Sequence, residues 1–167
     1  MNPATAMVVM QTATAVRREI QRWADALGDD YSIDPTTLRG ACGIGSHLLL
    51  QALEERGILK ATFVMGRYYR NGYEDRSEWE DATLPNHCWL VIGDTIIDIT
   101  ATQFEEEEEL VYVTTTSDDR YKGLHEGEDA VAILLNAWDD QSPSHYPTAM
   151  PLILTQALQE VVAVNES

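Results

Sequence analysis

Positive charge is what this sequence has least of. Lysine occurs only at Lys60 and Lys122, and 11 basic residues stand against 28 acidic ones, for a formal charge of −17. Such a surface repels a phosphate backbone instead of releasing its counterions, which disfavours nucleic acid as a partner. Cysteine is nearly as scarce. Cys42 and Cys88 could form at most one bridge, and a chain of 167 residues needs no disulfide framework, so free thiols are expected. No apolar run approaches the roughly 20 residues of a membrane span. The opening MNPATAMVVMQTATAV has no basic residue ahead of it and is too mixed for a signal-peptide core. The expectation is a soluble, cytoplasmic protein without membrane contact; non-classical export as an effector stays open.

What is present suits one domain over residues 1–167, large enough to bury roughly 70% of the surface its unfolded chain would expose. From Ala4 to Leu27, apolar residues at Ala13, Val16, Ile20, Trp23, Ala24 and Leu27 recur at mostly helical spacing. A second helix is predicted over Cys42 to Arg56, with Leu48, Leu49, Ala52 and Leu53 on its apolar stripe and Gly57 as C-terminal cap. Gly43 and Gly45 in its first turn weaken it by about 1 kcal/mol each, so close approach outweighs helix strength there. Strands are predicted over Lys60–Tyr69, Cys88–Ile92, Thr95–Ile99 and Leu110–Thr116. Asn71–Pro85, with Tyr73 and Trp79, reads as a long loop, Glu105–Glu109 as a solvated acidic run, and Ser117–Gly127 as a polar connection. Helices over Glu128–Trp138 and from Pro151 to about Val164 complete an α+β domain with an antiparallel sheet packed with helices.

The segments RGACGIGSH (residues 39–47) and NHCWLVIGDTIIDITATQF (86–104) carry the chemistry. Gly93-Asp94 suits a two-residue hairpin turn, in which Ile92 pairs with Thr95 and Trp89 falls opposite Asp98. His87 and Asp98 then become diagonal neighbours on one face, roughly 7–8 Å apart along the backbone and within reach of each other's side chains. A carboxylate beside an imidazole orients the ring, selects its tautomer and stabilises the imidazolium. Cys42, opening a helix, would have its thiol pKa lowered by the helix N-terminus and by a protonated His87. Its backbone N–H would face a developing oxyanion. Cys88 points the other way along a regular strand, toward the core.

A cysteine opening a helix, a His-x-Trp strand and an aspartate on the next strand resemble the transglutaminase-like branch of the papain-like cysteine enzymes, which includes transglutaminases, peptidases and deamidases. The resemblance runs from Gly40 to Phe104, about two fifths of the chain, and matches at Cys42, His87, Trp89 and Asp98. It implies a papain-like fold with Cys42 as nucleophile, His87 as general base and acid, and Asp98 as orienting group. The substrate would be a peptide bond or a protein side-chain amide, and no cofactor is implied. Papain's glutamine shortly before the cysteine has no counterpart in Thr36–Ala41, so Gln103, Arg39 and Trp89 are the candidates for a second oxyanion or substrate-binding group.

Cys42, Cys88, His47, His87 and Asp98 could also ligate metal, but their spacing fits no paired zinc pattern and none is expected. The alternative from another class is a catalytically silent member of the fold or an acidic interaction module, an inhibitor or a DNA mimic, motivated by the −17 charge.

Overall fold

Asn2 starts the first helix by accepting the Thr5 N–H on its side-chain oxygen at 2.9 Å, and Pro3 takes the first helical position, where a missing N–H costs nothing. The computed structural model describes residues 1–27, 33–69, 84–104 and 109–140. The expected helix from Pro151, residues 71–83 of the polar loop with Tyr73 and Trp79, and residues 105–108 of the acidic run lie outside them.

Helix α1 (Pro3–Leu27) buries Val9, Ala13, Val16, Ile20 and Ala24 at intervals of three and four residues, the stripe its spacing demands. Helix α2 (Cys42–Glu55) buries Ile44, Leu48, Leu49, Ala52 and Leu53 against the same core. Its early glycines permit close contact. A Cβ at Gly43 would sit 2.6 Å from Leu134 Cδ1, and one at Gly45 would sit 3.2 Å from Ile20 Cδ1 and 3.4 Å from Ile99 Cδ1. The first turn of α2 is therefore wedged between its neighbours, which fixes where Cys42 stands.

The sheet has the order β4-β3-β2-β1-β5, with every adjacent pair antiparallel. Its strands are β1 (Ala61–Tyr68), β2 (His87–Ile92), β3 (Thr95–Asp98), β4 (Tyr112–Thr115) and β5 (Tyr121–Glu126). Helix α3 (Gly127–Asp140) follows at once and packs on β1 and β5. The architecture is thus α+β with an antiparallel sheet. Strand β5 corrects the expected polar connection over 117–127: it is an edge strand with only Tyr121 buried, so it shows no apolar alternation, and its backbone pairing with β1 forms it.

The two sheet faces carry different cores. Phe63, Met65, Cys88, Leu90, Ile92, Ile97 and Ile99 join the helices in the larger one. Val64, Tyr68, Trp89, Ile96 and Tyr121 form a smaller, aromatic-rich cluster on the opposite side. Among the described residues no helix is long and apolar enough to cross a membrane.

Candidate active site

The β2–β3 turn is the two-residue one, Gly93-Asp94. Gly93 lies at φ 65°, a backbone region glycine enters without steric cost, and Ile92 pairs with Thr95, Val91 with Ile96 and Leu90 with Ile97. Continuing that register puts His87 and Asp98 on one face. His87 Nε2 and Asp98 Oδ2 are 2.5 Å apart, with both side chains fully buried.

Asp98 is held on both oxygens. Its Oδ1 accepts the Thr100 N–H at 2.8 Å and the Thr100 hydroxyl at 3.1 Å, and its Oδ2 also accepts the Tyr121 hydroxyl at 3.0 Å. Burial raises the cost of the carboxylate charge, but His87 and these donors outweigh it and hold Asp98 below its ordinary 3.8. Asn86 fixes the entry to β2 by imitating a paired strand: its Oδ1 accepts the Tyr68 N–H at 2.9 Å, and its own N–H donates to the Gly66 carbonyl at 2.8 Å.

The imidazole lies in an aromatic box. Ring centroids are 4.9 Å away for Phe104, 5.8 Å for Trp89, 6.1 Å for Tyr68 and 6.3 Å for Tyr121. Burial by itself would lower the His87 pKa; the charge and hydrogen bond of Asp98, joined by the Cys42 thiol, lift it from 6.5 to about 10. In this dry surrounding each charge acts at short range with little screening.

Cys42 is half-buried at the first position of α2, preceded by Ala41, which has no side-chain oxygen to cap the helix. Its thiol meets both Cys88 and His87 at the start of β2. The hydrogen bond with Cys88, then that with His87 and the imidazolium charge, hold the Cys42 thiol well below its ordinary value against the opposing effect of burial. The same contact and its own burial push Cys88 up, which favours Cys88 as the donor and Cys42 as the thiol of the pair that more readily ionises. Cys88 therefore faces the core, as expected, and also touches the sulfur of Cys42. With Nε2 committed to Asp98, the nitrogen left for Cys42 is Nδ1.

The segment leading to Cys42 is strained. Leu38 is buried at φ 57°, a backbone region that costs a non-glycine residue roughly 1–3 kcal/mol. An Asp34 turn secures it: Oδ1 accepts the Thr36 N–H at 2.7 Å and the Thr37 N–H at 3.2 Å, and the Leu38 N–H reaches the Asp34 carbonyl at 2.7 Å.

The three candidates for a second oxyanion or substrate group are separated by the structure. Gln103, on a 3-10 turn (Ala101–Gln103), places its side-chain amide 3.2 Å from His87 Nδ1 and donates to the Thr100 carbonyl at 3.0 Å, so it sits against the edge of the ring. Trp89 is buried beneath the imidazole. Arg39 is exposed, and its backbone closes the Asp34 turn. His47 lies away from the site, edge-on to Phe63 at 6.5 Å, with its pKa lowered by burial. Among the described residues no group of three or more His, Cys, Asp or Glu side chains could hold a metal ion.

Sequence reasoning missed Thr100, Tyr121 and Asn86. The Asp98-Ile99-Thr100 spacing does carry a signal for the first, since an aspartate often binds the N–H two residues on. Tyr121 comes from β5, and no local pattern points to it. Comparison with known proteins finds no matching family model, no matching curated protein and no matching solved structure.

Proposed function

We propose that this protein is a thiol-dependent acyl-transfer enzyme, similar to the transglutaminase-like branch of the papain-like cysteine enzymes, acting on a peptide bond or a protein side-chain amide. The observation that carries this reading is the buried His87–Asp98 pair at 2.5 Å, whose imidazole also meets the Cys42 thiol at the start of a helix.

Cys42 Sγ, as thiolate, attacks the carbonyl carbon, and the negative charge that develops on oxygen faces the Cys42 N–H at the α2 terminus. His87 Nδ1–H then protonates the departing amine, leaving a thioester on Cys42. His87, now neutral, takes a proton from the incoming water or amine, which breaks the thioester and restores thiolate and imidazolium. Asp98 stabilises the imidazolium in each resting interval, and Thr100 and Tyr121 hold Asp98. Where Nδ1 carries the proton, the Gln103 amide must turn to present its oxygen.

The test is mass spectrometry of candidate peptides and proteins incubated with wild type and with Cys42→Ala. A mass gain of about one dalton indicates deamidation, a cross-link transglutamination, and cleavage a peptidase. Products equally abundant with Cys42→Ala would refute the proposal.

A further inference from the structure

Arginine is almost never fully buried unless it is paired. Arg17, on the core-facing side of α1, is only 2% exposed. Nη1 donates to the Ile99 carbonyl and Nη2 to Thr102 Oγ1 at 2.9 Å, while Nε has no hydrogen-bond partner among the described residues. A buried, incompletely satisfied guanidinium is a poor device for stability, since removing it from water costs several kcal/mol that neutral acceptors only partly restore. Its position suggests another demand.

Both acceptors lie in the turn that follows Asp98. That turn supplies Thr100, which binds Asp98 Oδ1 twice, and Gln103, which meets His87 Nδ1. Thr102, gripped by Arg17, passes the connection on: its hydroxyl donates to the Thr37 carbonyl at 2.9 Å, in the strained segment that leads into Cys42. One guanidinium thus ties the turn that holds the carboxylate to the segment that delivers the thiol. Asp98 also feels Arg17 electrostatically. Asp98 touches His87 from β2 and Tyr121 from β5, and its charge acts without contact on Arg17 from α1, Cys42 from α2 and Cys88 from β2. Charges alternate through this set, Arg17 positive, Asp98 negative, His87 positive and Cys42 negative, so the ionised site is balanced as a whole.

We propose that Arg17 is a positioning residue of the thiol site: it braces the Ile99–Gln103 turn and, bound to the Ile99 carbonyl next to Asp98, gives that carboxylate a second counter-charge. The proposal rests on the reading of Cys42 as an activated thiol. Two substitutions separate its two roles. Arg17→Gln keeps hydrogen-bonding capacity and removes the charge; Arg17→Lys keeps the charge and loses the two-point grip.

The experiment is the pH dependence of Cys42 alkylation by iodoacetamide, followed by mass spectrometry, with thermal unfolding of each variant in parallel. Losing the cation leaves an excess negative charge beside the thiolate, so Arg17→Gln raises the pH midpoint of labelling by about one unit. Arg17→Lys restores most of that midpoint. A folded Arg17→Gln with the wild-type midpoint overturns the proposal, because a merely structural role would change unfolding alone. If Arg17→Gln does not fold, Thr102→Val decides: it removes the gripped hydroxyl and loosens the turn that holds Asp98, so the labelling midpoint is expected to rise, whereas a wild-type midpoint overturns the proposal. Failure of the underlying reading is distinct, since wild type itself would then label Cys42 no faster than Cys88.

Discussion

Replacing Asp98 by asparagine removes one charge from the centre of the site and leaves its shape in place. His87 is fully buried, and its pKa stands at about 10 because Asp98 overcomes the burial that would otherwise lower it from 6.5. That rise, at about 1.4 kcal/mol per pH unit, corresponds to roughly 5 kcal/mol of preference for imidazolium. In Asp98→Asn the burial remains without the counter-charge, so the imidazole is neutral at pH 7. Cys42 then loses the hydrogen bond and charge of the imidazolium, keeps only the Cys88 donor, and its pKa moves back toward 9.0. The expected result is about tenfold slower iodoacetamide labelling of Cys42 at pH 7, smaller than the loss of thiolate alone because a more basic thiolate is intrinsically more nucleophilic. Denaturant unfolding should show a loss of about 3–5 kcal/mol, the usual consequence of breaking a buried pair. A folded Asp98→Asn variant with an unchanged labelling midpoint would refute this electrostatic account.

The thiolate–imidazolium pair also predicts how stability varies with pH. His87, raised from 6.5 to about 10, contributes stability that is complete below 6.5 and lost as pH rises toward 10. Cys42, lowered from 9.0, contributes in the opposite sense up to 9.0, so it offsets His87 below that pH and the net fall is steepest above about pH 9. Cys42→Ala should expose the His87 slope from pH 6.5 upward in denaturant titrations; a flat profile there would contradict the raised His87 value. Tyr121→Phe removes a 3.0 Å donor from a buried carboxylate and should cost about 1.5–3 kcal/mol in thermal or denaturant unfolding. Gly66→Ala would put a Cβ 2.1 Å from the Lys122 carbonyl oxygen and 2.6 Å from Trp89 Cη2. It should cost about 3 kcal/mol by displacing β5, and with β5 the Tyr121 hydroxyl on Asp98.

Local chemistry made much of this site legible in the sequence. Gly93-Asp94 sets the hairpin length, the hairpin length sets which side chains share a face, and so the meeting of His87 and Asp98 follows from counting. The first position of α2 follows in the same way from the Leu48, Leu49, Ala52 and Leu53 stripe and the cap beyond it. Contacts between distant segments left no such trace. Tyr121 reaches Asp98 only because β5 pairs with β1, a strand with one buried residue and no alternation to mark it. Arg17 looks like any charged residue on an amphipathic helix until the turn after β3 folds against it. The contact of Cys88 with Cys42 was equally hidden: strand alternation sends Cys88 to the core, and only the docking of α2 on β2 brings the two sulfurs together.

The account stands on Cys42 being the activated thiol and Cys88 its protonated neighbour. The most direct measurement is competitive alkylation of the native protein with iodoacetamide near pH 7, with each cysteine quantified by peptide mass spectrometry. Cys42 should label much faster than Cys88, and His87→Ala should shrink the difference by slowing Cys42 about tenfold or more; equal, slow labelling of both cysteines in the wild type would contradict the account.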